Sequence, residues 1–138
     1  MAASTTTRQP LRRTSKQRTA ILEIVRASHA HPDAEEVFRL ARRKVRSISL
    51  GTVYRNLRLL VEDGMLHEVT STGKAVRYDG MLEDHEHFLC TRCGTIIDLP
   101  RRAAGKTIMP KSDALLGCEI TDYRLDLFGL CQGCRNHK

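Results

Sequence analysis

Residues 49–79, SLGTVYRNLRLLVEDGMLHEVTSTGKAVRYD, change their hydrophobic period part-way along. From Ser49 the apolar residues Leu50, Val53, Leu57, Leu60 and Val61 recur at helical spacing behind a serine able to cap the first turn. Gly64 stands where a helix ends on a left-handed residue. The period then shortens to that of strands in Met65–Thr70 and Ala75–Tyr78, joined by the turn-rich Ser71-Thr72-Gly73-Lys74. Upstream, Ser15 opens a helix with Ile21, Ile24, Val25 and the small Ser28 on one face, and His31-Pro32 closes that unit. Asp33 and Glu36 form a capping box for a second helix with Ala34, Val37, Phe38 and Ala41 on its inner face. Ser47–Ser49 is a short break. Three helices followed by a hairpin predict a winged helix-turn-helix over residues 15–79.

Charge supports the same division. In 138 residues, 23 Lys or Arg against 16 Asp or Glu give a net charge of +7. Residues 1–61 hold 13 of the basic residues and 4 of the acidic ones, whereas residues 80–138 hold 8 of each. A basic half joined to a neutral one reads as a polyanion-binding module attached to something else. Residues 1–14, with Arg8, Arg12 and Arg13, lack a hydrophobic period and are expected to be a flexible basic arm. They also lack the apolar segment of a signal peptide, and no apolar run approaches the ~20 residues of a membrane span. The expected location is therefore the cytoplasm, where five cysteines point to metal or redox chemistry more than to a disulfide framework. With three Phe, three Tyr and no Trp, one large aromatic core is not expected.

Beyond an 80–84 hinge, residues 85–138 read as a second α/β module. Strands are expected at His85–Cys90, Thr95–Leu99 and Ile120–Phe128, the last alternating Tyr123, Leu125 and Leu127 with Asp122, Arg124 and Asp126. Gly105 and Pro110 interrupt any long helix between Pro100 and Gly117. Cys90-x-x-Cys93 and Cys131-x-x-Cys134 are two knuckles, each able to grip one ion from a tight turn. Together they offer the all-sulfur tetrahedral shell of a structural Zn2+ site; reactive or disulfide cysteines are the alternative. Cys118 stands apart and reads as a buried apolar residue.

A second donor set lies nearby. His85 and His87 at i and i+2 of a strand point to one face, preceded by Asp79 at the end of the wing and followed by Asp98. Asp98 sits in the apolar run Ile96-Ile97-Asp98-Leu99, where an unpaired carboxylate is costly. Surface histidines are the alternative for His85 and His87. For His31 the alternative is a loop or capping role.

The segments Lys16-Gln17-Arg18, Ala30-His31-Pro32, Thr52-Val53-Tyr54-Arg55-Asn56-Leu57 and Gly64-Met65-Leu66, the His85/His87 pair and both cysteine knuckles resemble the ferric uptake regulator (Fur) superfamily over about residues 15–134. The resemblance implies an α+β chain: an N-terminal winged helix-turn-helix domain followed by a small α/β dimerisation domain with a four-cysteine zinc site. It further implies a homodimeric, metal-dependent repressor of double-stranded operator DNA. The regulatory ion, Fe2+ or Mn2+, would be held between the domains by His31, Asp79, His85, His87 and Asp98. Aspartate at 79 and 98, where iron sensors usually carry glutamate, is similar to the peroxide-stress regulator (PerR) branch, as is a third strand free of histidine. In that branch iron and peroxide oxidise a ligand histidine, here His31 or His85. The family's dimerisation helix after Asp98 is interrupted in this chain by Gly105 and Pro110. His67 has no counterpart and reads as a wing surface residue.

The helix at 49–63 is expected in the major groove. Thr52 and Tyr54 would meet thymine methyls, Arg55 would meet guanine or phosphate, and Asn56 and Arg58 of the same helix are also expected to bind DNA. Arg18, Arg42, Arg43, Lys44, Arg46 and Lys74 would meet phosphates. Peroxide is the only small molecule expected to act on the protein. Three rivals remain: an iron-, manganese- or zinc-responsive Fur-type repressor without peroxide sensing, a constitutive DNA binder with structural zinc alone, and a metalloenzyme. The last lacks a legible nucleophile or substrate pocket.

Overall fold

The computed structural model describes residues 15–69, 75–100, 117–120 and 124–137, which divide into two compact units between Leu82 and Glu83. In the first, α1 (Lys16–Ala27), α2 (Ala34–Lys44) and α3 (Leu50–Glu62) precede a two-stranded antiparallel hairpin, β1 (His67–Val69) and β2 (Arg77–Asp79). Each helix begins as its sequence dictates. Ser15 accepts the Arg18 N–H and Ser49 accepts the Thr52 N–H. Asp33 and Glu36 form the reciprocal capping box, at 2.8 and 3.0 Å. Gly64 ends α3 at φ +69°: its N–H donates to Val61 and that of Met65 to Leu60, the two bonds of a Schellman cap.

The apolar stripes meet in one core: Ile21 and Val25 of α1, Val37 and Ala41 of α2, and Val53, Leu57 and Leu60 of α3, closed beneath the hairpin by Leu66 and Tyr78. Burying each of the larger side chains contributes about 1.5–3 kcal/mol. Helix α1 stops at Ala27, capped by Ser28, earlier than His31-Pro32. The hairpin strands are three residues each, shorter than the alternating runs. The turn at 70–74, including Lys74, lies outside the described residues, as does the 1–14 arm.

The second unit holds β3 (His85–Cys90), β4 (Ile96–Pro100), β5 (Asp126–Gly129) and a short α4 (Gln132–Asn136). Strand β3 is central, antiparallel to β4 and parallel to β5. The third strand is thus shorter than its alternation suggests: residues 117–120 and 124–125 are not in a strand, and 121–123 lie outside the described residues. So does 101–116, where Gly105 and Pro110 fall. Cys118 is exposed, not a core residue; it lies in residues 117–120, which are not in a strand. Helix α4, built on the second knuckle, carries no apolar period that would have announced it. Among the described residues no helix is long and apolar enough to cross a membrane.

Gly80, at the exit of β2, lies so close to α1 that an added Cβ would stand 2.7 Å from the Cα of Arg26. Backbone cannot yield as a side chain does, so Gly80→Ala is expected to lower stability by about 1–3 kcal/mol, the range of overpacked sites. A urea melt of the full chain measures it.

Candidate metal centres and nucleic-acid interface

The four-cysteine site is built from the end of β3 and the start of α4. Cys90 closes β3 and Cys93 follows through a turn in which the Gly94 N–H bonds the Cys90 carbonyl at 3.0 Å, with Gly94 at φ +75°. Cys131 is the N-cap of α4 and Cys134 lies in its first turn. One sulfur from each cysteine falls within 4.8 Å of all the others, and Cys93 and Cys131 are 3.7 Å apart. A tetrahedron with Zn–S bonds of ~2.3 Å has edges of about 3.8 Å, so the cluster fits zinc and is far from disulfide length. Arg92 fastens the arrangement, Nη1 donating to the carbonyls of Cys134 and His137, both at 2.8 Å.

The thiols are unequal. Cys90 is lowered to about 5, chiefly by the Cys131 N–H and then by that of Cys93. Cys93 is lowered, first by the Thr95 hydroxyl. Cys134 is pushed up to about 12, first by burial and then by the neighbouring thiols. At neutral pH the protein alone therefore leaves protons on part of the cluster, and a cation must displace them to gain four thiolates.

The imidazole and carboxylate donors occur in both units. In the first, His31 sits in the α1–α2 loop at φ +51°, a left-handed conformation that costs a non-glycine residue roughly 1–2 kcal/mol. Arg77 of β2 holds it there: Nε donates to the His31 carbonyl and Nη2 to that of Ala30, while the Tyr78 N–H donates to Pro32. Strand β2 is thereby zipped onto the loop, which sets His31 Nε2 3.6 Å from Asp79 Oδ2. Asp79 Oδ1 accepts the Met81 N–H at 2.8 Å, leaving Oδ2 toward the imidazole. Both residues are buried.

In the second unit, the β3–β4 register places Asp98 directly across from His87, and His85, two residues away, shares their face. His85 Nε2 lies 3.0 Å from His87 Nε2 and 3.3 Å from Asp98 Oδ1, and His87 Nε2 lies 3.4 Å from the same oxygen. Two ligands at ~2.1 Å from one ion, at 90–109° to each other, are about 3.0–3.4 Å apart, so the spacing of the three atoms matches one face of a coordination shell. Two histidines and one carboxylate in facial array suit Fe(II) among other divalent ions. His85 Nδ1 meets the Glu83 carbonyl at 2.7 Å; a carbonyl only accepts, so that nitrogen holds the proton and Nε2 keeps its lone pair. Two residues the sequence did not single out shape these sets. Arg77 gives no local signal, and Asp126 was legible only as the polar half of an alternating strand; its Oδ1 faces His87 Nδ1 at 3.6 Å.

On α3, Tyr54, Arg55 and Arg58 are exposed and Thr52 is half-exposed, its hydroxyl shared with Ser49 at 2.9 Å. Tyr54, Arg55 and Arg58 line a groove together with the wing residues Glu68, Val76 and Tyr78. Asn56 departs from its expected place on the DNA-facing edge: it is buried, accepting from Arg18 Nε at 3.2 Å and donating to the Thr52 carbonyl at 2.9 Å. Helical rotation turns residue 56 toward α1, so Asn56 and the half-buried Arg18 couple two helices. Arg42, Arg43, Lys44 and Arg46 are exposed, Lys44 pairing with Glu23 at 3.1 Å, and His67 is exposed on β1.

A winged-helix unit followed by a unit with thiolate and imidazole–carboxylate sites defines a metal-responsive transcriptional repressor. The Ferric uptake regulator family model matches residues 11–128, and the chain belongs to that family, whose members are regulators and not enzymes. It is 34% identical over 122 residues to the peroxide operon regulator of Bacillus subtilis strain 168, covering 88% of this chain and 83% of that one. The peroxide stress regulator of Campylobacter jejuni superposes with a TM-score of 0.71 at 31% identity, over 86% of this chain and 88% of that one. A zinc-bound manganese uptake regulator gives 0.60 at 29%, over 86% and 90%.

Cys131→Ser is expected to drop zinc from one ion per chain to near zero and to lower the melting temperature, read by chelator-released metal and calorimetry. Arg77→Ala should raise hydrogen exchange at the Tyr78 amide by more than tenfold, because the loop that accepts from it is no longer clamped.

Proposed function

We propose that the protein is a homodimeric repressor of double-stranded operator DNA in which one regulatory ion, bound by His31, Asp79, His85, His87 and Asp98, joins the two units, and that it senses hydrogen peroxide. What carries the reading is the facial His85–His87–Asp98 set in one unit and an incomplete pair, His31–Asp79, in the other. Neither alone fills the five or six positions that Mn(II) or Fe(II) takes, and the two are separated in sequence only by the short 80–84 connection.

Each unit contributes residues to one shell, so filling it fixes the angle between them. In a dimer that angle sets the separation of two α3 helices, which must meet major grooves ~34 Å apart. The ion favours the DNA-binding form only through its differential affinity for it. Thr52, Tyr54, Arg55 and Arg58 face the bases and adjacent phosphates; Arg18 and Asn56 brace α3 from behind. The four-cysteine Zn2+ is structural, offering no open position and tying α4 to β3.

Five protein donors leave one position for peroxide. Fe2+ held there would supply redox mediation with no net loss of its own electrons: the imidazole of His31 or His85 would give up two electrons, one peroxide oxygen would replace hydrogen at a ring carbon, and the other would leave as water. Aspartate at both carboxylate positions and the peroxide regulators among the relatives support this. A ring so altered binds poorly, the units separate and the operator is released in the cytoplasm. The second reading is a repressor answering to iron, manganese or zinc alone; imidazole and carboxylate donors accept all three, and the likeness to a manganese uptake regulator favours it.

His87→Ala should abolish Mn2+-stimulated operator binding in a gel shift while zinc stays near one per chain. The Fe2+-loaded protein treated with peroxide should gain one oxygen on a peptide containing His31 or His85, and the Mn2+ form none. Equal behaviour of the two forms leaves the second reading.

A further inference from the structure

We infer that Asp126 is a positioning residue for the regulatory ion: from behind His87 it holds the ring so that Nε2 points to the metal. The inference rests on His87 being a ligand, as proposed above. The parallel β3–β5 register sets Asp126 directly across from His87, and the antiparallel β3–β4 register sets Asp98 across from it on the other side. The imidazole thus lies between two carboxylates, each at its own nitrogen: Asp98 Oδ1 is 3.4 Å from Nε2 and Asp126 Oδ1 is 3.6 Å from Nδ1.

Those carboxylates have different work. The two ring nitrogens diverge, so an ion on Nε2 is shared with Asp98 and His85 and turned away from Asp126. Asp126 Oδ1 is buried without a hydrogen-bond partner, an arrangement that costs free energy until a donor is supplied. His87 Nδ1 faces it, and a metal on Nε2 obliges the ring to carry its proton on Nδ1. A small ring rotation closes the contact, so metal binding satisfies the buried oxygen and the oxygen in turn fixes the ligand. Behind His85, Nδ1 meets the Glu83 carbonyl, a neutral acceptor in place of a carboxylate. Of the pair, His87 is therefore the better-held and stronger donor, because a carboxylate behind a ligating imidazole strengthens it and typically changes metal affinity 10–100-fold.

The test uses the zinc-loaded full chain. Mn2+ affinity is followed through the EPR signal of free Mn2+ for Asp126→Ala, Asp126→Asn and His87→Ala. Asp126→Ala should weaken binding about 10–100-fold, Asp126→Asn, which still accepts from Nδ1, should recover much of the loss, and four-cysteine zinc should remain. With Zn2+ as a diamagnetic probe in the regulatory site, the His87 Nδ1 proton should appear downfield and shift upfield or exchange away in Asp126→Ala. Affinity within twofold of the unsubstituted chain in both Asp126 variants overturns the inference, as does an unmoved Nδ1 proton. If Asp126→Ala does not fold, Asp126→Asn decides through that proton's shift, which must change when a neutral acceptor replaces the carboxylate. If His87→Ala itself leaves Mn2+ binding intact, the proposed regulatory site fails as well; if it abolishes binding while the Asp126 variants do not, only the role of Asp126 falls.

Discussion

Sheet register forces electron-pair donors into contact. Because His87 and Asp98 are paired across β3 and β4, and His85 is two residues from His87, three donor atoms stand 3.0–3.4 Å apart. Such crowding is unfavourable for lone pairs and favourable around a divalent ion. The backbone hydrogen bonds of the sheet therefore prearrange the site, and the ion need not organise it at the expense of affinity. His31 is prearranged differently, by a cationic clamp from β2 on the carbonyls of a left-handed turn.

The two metal chemistries divide along the same lines. Thiolates, held by short turns and by Arg92, close a shell that leaves no position for substrate and so serves architecture. In the proposed regulatory site, imidazoles and carboxylates would leave room for exchange, with donors taken from segments on both sides of residues 80–82. Gly80 packs its backbone against α1, so the end of β2 is held against that helix.

Most of the first unit was legible because its signals are local: caps at Ser15, Asp33 and Ser49, the terminating Gly64, and stripes such as Val53, Leu57 and Leu60. The cysteine knuckles were legible because metal geometry demands their spacing. Less visible was anything decided by register. Nothing near Arg77 or Asp126 in sequence announces a partner, since His31 and His87 reach them only when strands align. Burial has no local signal where rotation decides it: Asn56 lies next to exposed Arg55 but faces α1, and Cys118 resembles a core residue but is exposed, outside any strand. The strand around Asp126 was overextended because alternation continues past the point where pairing begins.

The central claim is that a single ion takes donors from both units. X-ray absorption at the manganese edge of the zinc-replete, Mn2+-saturated chain counts the imidazoles in its shell. The account predicts three in the unsubstituted protein and two in His31→Ala, with the remaining shell unchanged; an identical shell in both proteins would contradict it.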